Sequence, residues 1–410
     1  KPQPLKNNKP KSVLDTIKFA NLNTENHKRV IVLGNGETGY LAFNHLKTIS
    51  HLHPMDVGIC SKNGVNRTRY GSLFYGMCHY NHFDYEKTLI DLYPTSKFKF
   101  EKCFEIDTFN SALIFPNNMK FRFDYLVLAN GKSKSGEIWN QINEMSFEPN
   151  KMIFDFSCHE SLKKLNLNFK SFHSGTIFNC YIGFNNTDVQ NILSFCLVLR
   201  SLFKNNIIEI FIEGSYIFSS PNLNSEIVKI LTKQNIEIKF NSCINVDQIN
   251  GYNNVLINNK IVSSTNVLIL GPSMKNNDLL ENCKIDLNMF STITGQHQQL
   301  TNIFALGTVL EPNLDLISKN KLVKNLKSAL TLQIEKDWDI KSSREVTIDE
   351  NLIKSTMIFD SFNNYQRFCL NGEELKINVT KSQRFKFLNL DMLLYFHFLK
   401  NRIAQNRIFN

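Results

Sequence analysis

Three glycines, Gly34, Gly36 and Gly39, stand directly after the β-branched run RVIVL (29–33) and directly before YLAFNHLKTI, which has helical spacing. A strand entering such a turn and leaving as a helix is chemistry-bearing for a simple reason. The first glycine makes the tight bend, the second lets backbone approach a diphosphate, and the third lets the helix pack on the strand. The free N–H groups of the helix then face the phosphate. A dinucleotide held this way also needs an acid at the end of the next strand to grip the adenosine ribose. That strand, DVGIC (56–60), ends in Ser61, which offers a hydroxyl and no bidentate carboxylate.

Other reactive side chains are dispersed. Nine cysteines contain no Cys-x-x-Cys pair, which argues against structural zinc and against a secreted disulfide scaffold. Of the ten histidines, His79 and His82 lie in the densest group, and a loop or surface role outweighs metal binding there. The basic loop NRTRYG (66–71) reads as a phosphate contact or as a solvated surface. No Ser/His/Asp order and no paired-carboxylate pattern stands out.

The elements that must position these groups form two α/β units. Residues 28–135 and 300–335 read as an FAD-type Rossmann domain, and residues 136–299 as a second Rossmann-like domain. FDYLVLANG is an acid-opened buried strand ending at Gly131, and NIFALGTVLEP is another ending at Gly307. The second unit has strand stretches at 174–184, 207–214, 236–240 and 266–274, helices near 188–203 and 223–234, and a hairpin region through 262. Its first strand–helix junction, YIGFNNTDVQN, lacks the glycine fingerprint. A nicotinamide dinucleotide would find no phosphate cradle in that unit.

Residues 1–27 form a basic arm, and 336–410 a C-terminal region. The apolar, aromatic stretch 384–407 is flanked by Arg384, Lys386, Lys400, Arg402 and Arg407 and reads as an interfacial or docking pair of helices. The 410 residues carry a net charge of +10, which favours anionic partners such as acidic lipid or an acidic subunit. No apolar run reaches the roughly 18–20 residues that span a bilayer. Nucleic acid ranks last, because the aromatics are not interleaved with basic residues as single-strand binders require.

The order of these motifs resembles the two-dinucleotide-domain flavoproteins and, among them, the sulfide:quinone oxidoreductase family, over roughly residues 28–403. The glycine turn, FDYLVLANG, SGTIFN, GPSMKNNDLLEN and LTNIFALGTVLEPN carry the likeness in sequence order. The resemblance implies a two-Rossmann α/β fold, FAD in the first domain, a cysteine pair that oxidises sulfide, a quinone acceptor, and a mitochondrial location peripheral to the inner membrane. The positions that the family fills with redox cysteines hold Asn191 and Thr356, which form no persulfide. Cys180, Cys196 and Cys369 lie nearby in sequence, but Cys180 reads as strand core and Cys196 as helix core.

The family's ribityl-binding Asp is Thr308 here. With Ser61 that removes two charge-assisted contacts worth roughly 1.5–3 kcal/mol each. FAD binding is expected to be weakened by hundreds- to thousands-fold or lost. Leu322, Val323 and Leu326 stand where the family has small residues and are expected to crowd the pocket. The resemblance therefore implies a pseudoenzyme serving as an accessory subunit of a mitochondrial complex. The alternatives are an active FAD-dependent quinone reductase and, last, an organellar ribonucleoprotein component.

Overall fold

The computed structural model describes residues 28–50, 55–61, 65–67, 86–88, 97–100, 102–144, 152–158, 161, 164, 165, 168, 171–173, 175–249, 252–262, 266–276, 278–283, 285–311, 313–339, 346–361 and 364–370. The basic arm, the histidine group at 79–82, most of the loop at 66–71 and the aromatic tail at 384–407 lie outside them.

The chain opens with β1 (Lys28–Leu33), α1 (Glu37–Ile49), β2 (Met55–Ser61), β3 (Lys97–Phe100) and β4 (Tyr125–Leu128). It passes through α2 (Glu137–Glu144) into β5 (Met152–Asp155), β6 (Ile177–Ile182), α3 (Val189–Leu202), β7 (Ile208–Ile212), α4 (Pro221–Lys233), β8 (Glu237–Lys239) and β9 (Asn266–Gly271). It then returns as β10 (Ile303–Ala305) and α5 (Leu316–Asp337), and the hairpin β11 (Ser355–Ser361) and β12 (Asn364–Cys369) follows.

Strands β1 to β10 form two five-stranded parallel sheets. The first has the order β10-β4-β1-β2-β3 and the second β5-β9-β6-β7-β8. A parallel strand in mid-sheet is covered on both faces, which is why RVIVL is apolar without alternation. Val30 and Val32 face a cluster built with α1 and α5, while Ile31 and Leu33 face the antiparallel meander at 105–122 and its neighbours. In the second unit Phe178, Cys180 and Ile182 pack on α3 and α4, and Tyr181 packs with Trp139 and Val255 on the other face.

Leu322, Val323 and Leu326 correct an expectation. All three sit in the core between α5, α1 and the first sheet, packed with Val30, Phe43 and Phe304, and not in a cofactor pocket. Their bulk answers the need of a helix to bury one stripe against a sheet.

The hairpin β11–β12 was not foreseen. It lies on α3, where Ile358 and Phe368 join the core of the second unit. Leu352, just before it, joins the core of the first, and Leu370, just after it, packs against both. A single short segment thus ties the two cores together. With it in place, every residue of α3 from Val189 to Leu199 is buried, so this helix meets water only at its last turn.

Candidate functional site, a glycine cradle facing a sealed seam

The glycines converge at the carboxyl ends of β1, β4 and β10. Gly34 has φ +112°, and a Cβ there would fall inside 3.0 Å of the Ala129 backbone. Only glycine suits both the angle and the approach. Its N–H donates to the Cys60 carbonyl at 2.7 Å, holding the turn against β2. Gly39 meets the Gly34 carbonyl in the same way, and a Cβ on Gly307 would lie 2.6 Å from Thr38 Oγ1. The Thr308 hydroxyl lies 3.4 Å from where a Gly131 Cβ would be. Gly34, Gly36, Gly39, Gly131, Gly307 and Thr308 therefore surround one place, with buried Ser61 at the end of the neighbouring strand β2.

Gly36 differs from its companions. It is the N-cap of α1 without a side-chain cap, and nothing lies within 4 Å of where its Cβ would be. The first-turn N–H groups of a 13-residue helix thus open onto free space, which is the electrostatic requirement for holding phosphate. Against Gly34, both carboxamide atoms of Asn130 are buried without any hydrogen-bond partner. Leaving such a group unsatisfied costs roughly 1–3 kcal/mol per atom, a cost that a bound polar ligand removes. Asn130 was missed in the sequence; its only local signal is its place between the end of β4 and Gly131.

Beyond Thr308 the surroundings change. Asp315, 1% exposed, caps α5 by accepting from Ser318 N at 2.8 Å. It also accepts from Ser355 Oγ at 2.7 Å and from Arg367 Nε at 2.6 Å, in a buried ion pair. Gln190, at the start of α3, donates to the Leu314 carbonyl at 3.3 Å and accepts from Thr356 Oγ1 at 2.8 Å. Asn191 next to it donates to Asp188 Oδ1 at 3.4 Å. The first turn of α3 and β11, which carry the two positions expected for redox cysteines, do meet here, bridged by Gln190. What meets is an amide and a hydroxyl bonded to each other, while Asn191 Oδ1 and Asn313 Oδ1 in the same seam are buried without a hydrogen-bond partner.

The three cysteines nearest these positions in sequence have a different fate. Cys180 and Cys196 touch, Sγ to Sγ 3.3 Å, yet both are fully buried in the second core. Desolvation, with the neighbouring Cys180 adding to it, pushes the Cys196 thiol well above its ordinary pKa, so no thiolate forms there near neutrality. Cys369 is buried on β12 opposite Ser355. No group of three metal-ligating side chains exists among the described residues.

The turn of the second unit keeps the spacing of a glycine fingerprint and only the first of its glycines. It reads Gly183-x-Asn185-x-x-Asp188, with Asn185 at φ +51° taking a conformation that glycine usually takes. Asn186, 1% exposed, fills the turn and donates to the Pro272 carbonyl at 2.7 Å. Asn313, from the loop before α5, donates to the Asn186 carbonyl at 3.3 Å and so stitches this turn to the first unit. The residues present fit a dinucleotide at its diphosphate end, through Gly36 and Asn130. They do not supply a reacting flavin with an acid grip or a thiolate.

No protein-family model matches the chain, and no curated protein does. Among solved structures it is similar to the sulfide:quinone oxidoreductase of Aquifex aeolicus, with a TM-score of 0.64 and 13% identity over 90% of this chain and 91% of that one. It is similar to a chain in the mitochondrial ATP synthase of Tetrahymena thermophila, with a TM-score of 0.64 and 12% identity over 92% of this chain and 93% of that one. A NAD-dependent persulfide reductase from A. fulgidus follows, with a TM-score of 0.56 and 12% identity over 83% of this chain and 63% of that one. The fold is that of the two-dinucleotide-binding-domain reductases, at a sequence divergence that leaves little beyond the fold in common.

Proposed function

We propose that this chain is a divergent, catalytically silent relative of the sulfide:quinone oxidoreductases, retained as an accessory subunit of a mitochondrial inner-membrane complex. The observation that carries this reading is the meeting of α3 and β11 through Gln190 and Thr356, with Asn191 held by Asp188, where sulfide chemistry would need two sulfurs. Persulfide formation from sulfide requires a disulfide whose one sulfur is attacked while the other leaves as a thiolate, and neither an amide nor an alcohol substitutes. The near full-length likeness to a chain of a mitochondrial ATP synthase supports the subunit role, and the net charge of +10 suits acidic neighbours or lipid. Attachment through the aromatic, basic-flanked stretch at 384–407 suits a headgroup surface or a neighbouring subunit.

A second reading, a flavoprotein that still binds FAD and reduces quinone with some donor, rests on the open Gly36 turn and the partnerless Asn130. Purified protein separates the two. The expected preparation is colourless or substoichiometric in flavin, without sulfide-dependent quinone reduction, and migrates with a membrane complex on native gels. Stoichiometric flavin with robust sulfide:quinone activity overturns the proposal. Converting Asn191→Cys and Thr356→Cys together should restore no activity; adding Thr308→Asp should raise flavin content first.

A further inference from the structure

The paired helices α1 and α5, which cover one face of the first sheet, carry charges of one sign. From Leu316 to Ile334, α5 has four lysines and no acid, and α1 has no acid after Glu37. A helix face that is merely solvated gains from opposite charges three or four residues apart, and none is placed here. Lys321 is drawn aside to Asp349 at 3.5 Å, while Lys324 and Lys327 make no ion pair with a described residue.

Two contacts bring these groups to one place. His45 Nε2 and Asn320 Oδ1 share a hydrogen bond of 2.9 Å, and one turn further along both helices Lys327 Nζ donates to Thr48 Oγ1 at 2.9 Å. Lys324 stands on α5 between Asn320 and Lys327, one turn from each, and its charge acts on both His45 and Lys327. His45, Thr48, Lys324 and Lys327 are therefore one cluster spanning two helices. Thr48 and Lys324 are exposed and the other two half-buried, so the cluster is open to solvent.

We propose that this cluster binds a phosphate group, carried by a small soluble ester or by a lipid headgroup. It is independent of the subunit reading. It is also distinct from the Gly36 turn, which lies roughly 14 Å back along α1 at 1.5 Å per residue.

The side chains present favour phosphate over carboxylate. There is no guanidinium in the cluster to fork onto a planar carboxylate, whereas separated ammonium groups suit the several oxygens of a tetrahedral dianion. Lys327 spends one N–H on Thr48 and keeps two for a ligand. Burial, with Lys324 adding to it, holds Lys327 below its usual pKa. Burial also lowers His45, against the hydrogen bond from Asn320, and Lys327 and Lys324 lower it further. The charges acting on His45 come from α5 and none is an acid's, so each basic group pushes the others towards neutrality. A bound dianion reverses that push. His45 then takes up a proton, and the ring's second nitrogen becomes a donor.

The test reads the site itself. In full-length protein with ¹³C-labelled histidines, the His45 signal is assigned by its loss in His45→Gln. Glycerol 3-phosphate, at constant ionic strength, should move that signal saturably and carry its titration midpoint to higher pH; glutamate should do neither. Lys324→Gln and Lys327→Gln should each weaken binding about tenfold. Each should also raise the His45 midpoint without ligand, because each removes a charge that lowers it. If Lys327→Gln melts early through its lost bond to Thr48, Lys324→Gln decides. Co-sedimentation with phosphatidylcholine vesicles containing phosphatidic acid then separates the carriers. Binding weaker by about tenfold or more in the double lysine variant assigns a headgroup, and a smaller difference assigns a soluble ester. A His45 signal that glycerol 3-phosphate leaves in place, or that glutamate moves equally, overturns the proposal. Calorimetric binding with that signal unmoved would belong to the Gly36 turn and overturns it too.

Discussion

Asn130 and the glycines around it mark how far single residues speak for themselves. The turn at Gly34, Gly36 and Gly39 is legible because its geometry is set by neighbours in sequence, and the structure gives each glycine a contact or an opening that a Cβ would spoil. The partnerless state of Asn130 is not legible, because it depends on what the fold brings near it, the Gly34 turn included. The same holds for cysteine. Cys180 and Cys196 read correctly as core, yet nothing in their separation along the chain says that their sulfurs touch. Their inertness is measurable. Among the described cysteines, Cys243 is exposed and should react with a thiol reagent in the native protein at pH 8. Cys180 and Cys196 should become reactive only when the protein is unfolded, as mass-mapped labelling with and without denaturant would show. Rapid native labelling of Cys196 would contradict the burial described here.

At the scale of elements, the strands and the long helices of both sheets are legible from apolar runs and helical spacing, and α3 and α4 fall within two residues of their expected bounds. The hairpin β11–β12 is not, since KSTMIF offers a strand no partner until NYQRFC folds back on it. That hairpin brings Arg367 to Asp315. Arg367→Met leaves a carboxylate buried without its cation and should cost roughly 3–5 kcal/mol in urea denaturation, with Asp315→Asn in the same chain recovering part of it. A second element contact is pH-sensitive. His45 on α1 shares a hydrogen bond of 2.9 Å with Asn320 on α5. Burial, helped by Lys327 and Lys324, holds its pKa below the usual 6.5. The unfolded chain therefore takes up the proton first. Stability from this site is full above pH 6.5 and declines as the pH falls from there through the folded-state pKa. Because His297 is also lowered by burial, the loss should be read as the difference between unaltered protein and His45→Gln, whose decline in melting temperature from pH 7 to pH 5 should be shallower.

For the whole molecule, the two-sheet plan is legible because βα alternation leaves few ways to cover both faces of a parallel sheet. How the halves meet is not, because the seam is made by residues far apart in sequence: Asn186 with Asn313, Gln190 with Leu314 and Thr356, Asp315 with Arg367. The seam also bears on synthesis. Phe304 on β10 completes the first core, Leu352 adds to it, and Ile358 and Phe368 complete the second. On the ribosome neither half can finish when its own early strands emerge. Both must wait, apolar faces uncovered, until the segment from Ile303 to Leu370 has left the exit tunnel, which makes the nascent chain a client for chaperones well after most of it has been made.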